Sequence, residues 1–202
     1  MKKNRGSDDL DSRLLNEYCK DLGYNPFITL KQVIKYGDIP CKYVRNKMDS
    51  KNLSYLRAMQ PDIIIPSGLG IIREDLLRIP KKGTLNAHMG LLPKYRGMNV
   101  LEWSLFNNDP LGITVHFMSA GIDTGDILLK RNIPIDTGDT IASLRAKSIP
   151  ISVEGYVEVI RKLGEGTIQP IKQKDEEGTQ YFVMHKRLRY FTEKRLLNST
   201  KG

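Results

Sequence analysis

Apolar and polar positions change period several times along the chain, and the changes mark out alternating elements. "DSRLLNEYCKDL", Asp11 to Leu22, has helical spacing and stops at Gly23 and Pro26. "IPCKYV", Ile39 to Val44, has strand character. Ser50 can cap a helix running to about Met59, with Leu53, Leu56 and Met59 on one face. "IIIP" after Asp62 is wholly apolar, the pattern of a strand buried on both faces of a parallel sheet. "GTLNAH", Gly83 to His88, is a second strand and breaks into a loop at its histidine. "NVLEWSLFNND" from Asn99 returns to helical spacing, "GITVHFM" at Gly112–Met118 is a third strand, and "DILLKRNIPI" from Asp126 is a fourth. A long helix follows. Asp136 or Thr137 is expected to start it, Pro150 to kink it and Gly164 to end it. Strands alternating with helices predict an α/β fold with a mainly parallel sheet and flanking helices.

The 202 residues, 40% of them apolar, suffice for one core. The expected organisation is a single domain over 1–202: an atypical helical segment at 1–37, a core at 38–164 and a short tail at 165–202. Cys19 and Cys41 are too few for a disulfide framework and fit a reducing cytosol, so a cytoplasmic location is expected. With two cysteines and three histidines no metal site is expected. The apolar runs are far shorter than a membrane span, and no secretory leader is visible at the N-terminus. Net charge is +9, which points to an anionic partner. More than half of that excess lies beyond His185, where Lys186, Arg187, Arg189, Lys194, Arg195 and Lys201 face only Glu193. A solvated basic helix explains this run more simply than a nucleic-acid site.

Candidate chemistry gathers at strand ends, where ligands of α/β sheets bind. Asn86-x-His88 closes the second strand, "PSGLGII" follows the first, and "GIDTGD" follows the third, which carries His116. An asparagine amide can donate to an oxyanion, a histidine can donate or shuttle a proton, and an aspartate can hold the imidazole or take a proton from an attacking amine. Such a set suits acyl transfer through a tetrahedral intermediate. Each piece alone is weak: an isolated His88 reads as a strand-end histidine, "GIDTGD" as a turn, and His116 as a packing or supporting residue.

In combination, "LNAHMGLLPKYRG" followed after one short helix by "GITVHFMSAGIDTGDILL" resembles the formyltransferases that use 10-formyltetrahydrofolate. The likeness runs from about Ile39 to Lys172 and implies a Rossmann-like formyltransferase fold. It implies a catalytic triad of Asn86, His88 and Asp123. It also implies a folate pocket formed by Leu69, Gly70, Ile71 and Ile72, and by Met118, Ser119, Ala120, Gly121 and Ile122. 10-Formyltetrahydrofolate would be the formyl donor. Lys94, Tyr95 and Arg96, in the loop after His88, could reach an acceptor phosphate, with a plain solvated loop as the equal alternative.

Two departures from the family pattern bear on the acceptor. The opening "MKKNRGSDDLDSRLL" lacks the apolar strand with which members begin, so the first strand–helix unit is missing or Met1 is not the true start. The tail is too short for the second domain of methionyl-tRNA formyltransferase, and its "QPIKQ" and "GTQYF" resemble the tails of amino-sugar nucleotide formyltransferases. The expected acceptor is therefore a small-molecule amine, an amino sugar joined to a nucleotide, with no nucleic-acid or membrane partner and with room for a homodimer. The alternatives are formylation of glycinamide ribonucleotide, a peptidyl amine or methionyl-tRNA, or a non-catalytic folate- or nucleic-acid-binding module. Tyr181 and Phe182 are the aromatics that could stack on a base, though core packing is the commoner fate of such a pair.

Overall fold

A computed structural model describes residues 20, 28–46, 48–67, 70 and 72–199. In chain order the elements are α1 (Leu30–Tyr36), α2 (Ser50–Met59), β1 (Ile63–Ile64), α3 (Glu74–Leu77), β2 (Gly83–His88), β3 (Tyr95–Gly97), α4 (Val100–Phe106), β4 (Gly112–Phe117), β5 (Ile127–Asn132), α5 (Ile141–Glu165), β6 (Thr179–Tyr181) and α6 (Lys186–Ser199). The main sheet has the order β1-β2-β4-β5, and β3 and β6 form a separate two-stranded ribbon.

The α/β class with flanking helices holds, and the described sheet is mixed. β1 runs parallel to β2, while β4 is antiparallel to both β2 and β5. The reason is visible in the connection from β4 to β5, which is only residues 118–126. A parallel return needs a crossover of about a dozen residues or more, so this link can only make a hairpin.

α5 covers the sheet. Its Ile141, Leu144 and Val159 pack with Leu85 of β2 and Ile113 and Val115 of β4 into a core with essentially no exposure. Gly155 sits where the helix crosses β4: a Cβ there would lie 3.1 Å from the Val115 side chain. The helix starts one turn later than expected, because Thr140 and Ser143 form a reciprocal capping box. It runs through Pro150 and Gly164 and is closed by Gly166 at φ 68°. Pro150 lies buried within the helix. α2 is capped by Asp49, whose carboxylate accepts from the Lys51 and Asn52 N–H groups, and Ser50 becomes its first helical residue.

"IPCKYV" forms no strand; its six residues are exposed and join neither sheet. β1 is shorter and less buried than an internal strand would be, as befits the end position it occupies in the described sheet. Apart from Lys20, the helix expected at Asp11–Leu22 lies outside the described residues, as do Met1 and the segment that follows it. Cys41 is an exposed free thiol. No described helix is long and apolar enough to cross a membrane.

The basic tail helix is docked. Arg195 donates to the Leu105 and Phe106 carbonyls, the open C-terminal end of α4. Arg189 and Arg145 both approach the fully buried Glu102 carboxylate. Part of the positive charge read as solvated is thus spent on helix ends and on a buried carboxylate. Removing the α5 cap by Thr140→Ala should cost about 1 kcal/mol and lower Tm by about 2–4 °C, measured by thermal melting followed by circular dichroism.

Candidate functional site

The site is assembled on one face of the β2–β4 ladder. Side chains two apart on a strand share a face, so Asn86 and His88 point the same way. Asn86 is paired directly with His116 across the antiparallel ladder, which puts His116 on that face too. The link from β4 to β5 then folds back over the face and delivers Asp123.

The four side chains form one polar cluster. The Asn86 amide lies 3.2 Å from His116 Nε2. Asp123 reaches His116 Nε2 with one carboxylate oxygen at 3.6 Å and His88 Nδ1 with the other at 3.4 Å. The two imidazoles stand edge to face, with centroids 6.2 Å apart. His88 and His116 are buried, and the Asp123 side chain keeps 15% of its surface exposed. Asp123 and the half-buried Asn86 are therefore the members of the cluster that open to solvent.

Hydrogen bonds assign the protons. His116 Nδ1–H donates to the Phe117 carbonyl at 2.8 Å, which leaves Nε2 as the acceptor for the Asn86 NH2. That fixes the orientation of the amide and leaves its second N–H free to donate elsewhere. Burial pushes the His116 pKa down to about 4; the attraction of Asp123 opposes the shift without cancelling it, and the charge of His88 adds to it. His116 is thus a neutral ring holding Asn86. His88 Nε2–H donates to the Tyr95 carbonyl at 2.8 Å, so its Nδ1 is the nitrogen turned to Asp123.

The turn that carries Asp123 is unusual. Asp123 has φ 54°, the left-handed region that aspartate tolerates better than most residues. Gly125 packs against the chain entering the loop: a Cβ would lie 1.8 Å from the Phe117 carbonyl oxygen, so only glycine fits. Three hydrogen bonds pin the turn from outside. The Gly97 N–H donates to Asp123 Oδ2 at 2.8 Å, and the Gln173 amide donates to the carbonyls of Asp123 and Gly125 at 3.0 and 2.6 Å. On the other side, the Tyr156 hydroxyl of α5 accepts from the Ala87 N–H at 2.6 Å, holding β2 between Asn86 and His88.

Of the residues linked to a folate pocket, Met118 is half-buried, and Ser119, Ala120, Gly121 and Ile122 form an exposed run leading into Asp123. Gly70 is exposed at φ 66° and Ile72 is half-buried, whereas Leu69 and Ile71 lie outside the described residues. A cavity of about 320 Å³ adjoins the end of β1, lined among others by Tyr55, Ile65, Pro66 and Ser67. The loop reading of Lys94, Tyr95 and Arg96 needs correction. Tyr95 and Arg96 are buried on β3, because β6 pairs with that segment and covers it. The Tyr95 ring stacks on Tyr181 and its hydroxyl bonds Asp109, while Arg96 donates to Gln173 and the Lys174 carbonyl. Lys94 stays exposed and pairs with Asp109. Tyr181 is half-buried, packed between Tyr95 and Trp103, whereas Phe182 is largely exposed.

Sequence reasoning left His116 as a packing or supporting residue and passed over Gln173. His116 sits in a strand buried along almost its whole length, where an inward residue reads as packing. Its register opposite Asn86 was the available signal. Gln173 comes from an irregular stretch fifty residues from Asp123, and no local pattern marks it.

Residues 28–160 match the family described as formyl transferase. The chain is 38% identical over 144 residues to a methionyl-tRNA formyltransferase of Caldanaerobacter subterraneus subsp. tengcongensis, covering 70% of this chain and 47% of that protein. It is 32% identical over 171 residues to the corresponding enzyme of Clostridioides difficile, covering 84% and 54%. The chain spans about half the length of the curated relatives it matches. Among solved structures it resembles the formyltransferase PseJ of Anoxybacillus kamchatkensis, in complex with UDP-4,6-dideoxy-4-formamido-L-AltNAc and tetrahydrofolate. That likeness has a TM-score of 0.63 and 20% identity over 92% of each chain. It also resembles glycinamide ribonucleotide transformylase 1 of Symbiobacterium toebii, with a TM-score of 0.57 and 23% identity over 82% of this chain and 90% of that one.

Native His116 resists protonation, whereas in the unfolded chain it titrates near 6.5. Protons then bind the unfolded state preferentially as pH falls from 6.5 towards 4, so this contribution to stability is complete above 6.5 and is lost on acidification. Urea unfolding at pH 7 and pH 5 should show a larger loss for the wild type than for His116→Gln. Tyr156→Phe leaves the Ala87 N–H without its partner and should lower stability by about 1–3 kcal/mol in the same assay.

Proposed function

The chain belongs to the formyl transferase family, and on that premise we propose that it moves a formyl group from 10-formyltetrahydrofolate to the primary amine of a nucleotide-linked amino sugar. The observation that supports the reaction best is the convergence of Asn86, His88 and Asp123 around His116. The exposed Ser119–Ile122 run next to Asp123 fits the donor, since its open backbone groups can meet the edge of a flat heterocycle.

In this reading the amine nitrogen attacks the formyl carbon on N10 and the carbonyl oxygen takes the negative charge. The N–H of Asn86 that His116 does not use donates to that oxyanion. Asp123, exposed enough to meet the amine, accepts the proton released as the new C–N bond forms. His88, carrying a proton on Nδ1 as well as on Nε2, holds the carboxylate in place and stabilises its charge. The tetrahedral centre then collapses, the bond to N10 breaks, and N10 recovers the proton. The products are a formamide and tetrahydrofolate.

The acceptor reading draws on the tail. "QPIKQ" supplies Gln173 to the Asp123 turn and "GTQYF" supplies β6, so the segments that resemble amino-sugar nucleotide formyltransferases adjoin the site. Methionyl-tRNA is the second reading, supported by the identity to enzymes of that name.

Turnover should appear as the mass gain of one formyl group when amino-sugar nucleotides are incubated with enzyme and 10-formyltetrahydrofolate. Charged methionyl-tRNA in a parallel reaction should stay unformylated. Asn86→Ala should lower kcat by about 100- to 1000-fold while leaving the circular dichroism spectrum intact. A near wild-type rate in Asn86→Ala, or formylation of the tRNA alone, contradicts the respective part of the reading.

A further inference from the structure

We propose that Gln173 is a positioning residue for the reaction, setting the reach of Asp123 by clamping the backbone of its turn; this rests on the reading of Asp123 as the base. Gln173 lies in the tail, outside both the core elements and the cluster of side chains. Its amide spends both N–H bonds on the same turn, one on the Asp123 carbonyl and one on the Gly125 carbonyl. The two oxygens flank Thr124, so the clamp closes directly after Asp123 and fixes the carbonyl of the residue that is in the left-handed conformation. That conformation has a conformational cost and needs an outside restraint to persist.

The amide is itself held. Arg96 donates to Gln173 Oε1 and to the Lys174 carbonyl, and Arg96 belongs to the ribbon strand whose next residue, Gly97, binds the Asp123 carboxylate. Backbone and side chain of Asp123 are therefore fixed by one connected unit, the ribbon and the tail. Loosening the clamp lets the carboxylate drift while leaving the residues that would meet folate and acceptor untouched.

The test is Gln173→Met, which keeps the length of the side chain and removes both donors. Two measurements are made on the full chain: steady-state formyl transfer, and hydrogen exchange of the Gly97 and Val115 amides by NMR. The expected result is a fall in kcat on the order of 100-fold, the effect of misplacing a reacting group by about 1 Å. Both KM values should stay within about threefold. Gly97, which donates to Asp123, should exchange at least about tenfold faster, and Val115 in the core should not change. Unchanged kcat or unchanged Gly97 exchange overturns the proposal. Loss of Val115 protection as well overturns it in favour of a general stabilising role. If wild-type protein formylates no amine while Gly97 still loosens selectively, the clamp stands and the formyl-transfer reading falls.

Discussion

The site depends on one carboxylate being held in a left-handed turn against two buried imidazoles. The Asp123 carboxylate lies beside His88 and His116, largely but not wholly withdrawn from solvent. A charge so placed is stable only if it is paired or hydrogen-bonded. Here the Gly97 N–H provides that, and the His88 ring adds to it when Nδ1 also carries a proton. The same arrangement leaves the carboxylate, like Asn86, partly exposed, so that in the proposed reaction a substrate amine can meet it.

The fold supplies each partner from a different part of the chain. β2 carries Asn86 and His88, β4 carries His116, the hairpin link carries Asp123, and the ribbon and tail carry Gly97 and Gln173. α5 ties the arrangement to the core through Tyr156 on one side and through Gly155, which lets the helix sit close to β4, on the other. The geometry of the candidate site and the packing of the core therefore share residues. The tail is part of the site through Gln173 and part of the fold through β6 and Arg195.

Much of this was legible in the sequence, for identifiable reasons. The helix spacing after Asn99 and the apolar strands around His88 and His116 gave the starts of their elements to within a residue, because period and turn residues agree there. The Asn86, His88 and Asp123 set could be picked out only through the resemblance of "LNAHMGLLPKYRG" and "GIDTGD" to the formyltransferases, since each piece alone is weak; the structure brings the three side chains into one cluster. What stayed hidden depends on pairing. "IPCKYV" has strand composition but no partner among the described strands, and composition alone cannot create a ladder. Tyr95 and Arg96 look like loop residues until β6, some eighty residues later, covers them. The antiparallel course of β4 and β5 could have been read from the shortness of residues 118–126, which excludes a crossover.

The most direct measurement of the central claim is the kcat/KM for formyl transfer of Asn86→Ala, Asp123→Ala and the double variant. Groups acting as one unit lose their function together. The account therefore predicts that the double variant is about as slow as the slower single variant. A double variant slowed by the product of the two separate losses would show two independent contributions, and would contradict a single cluster built around His116.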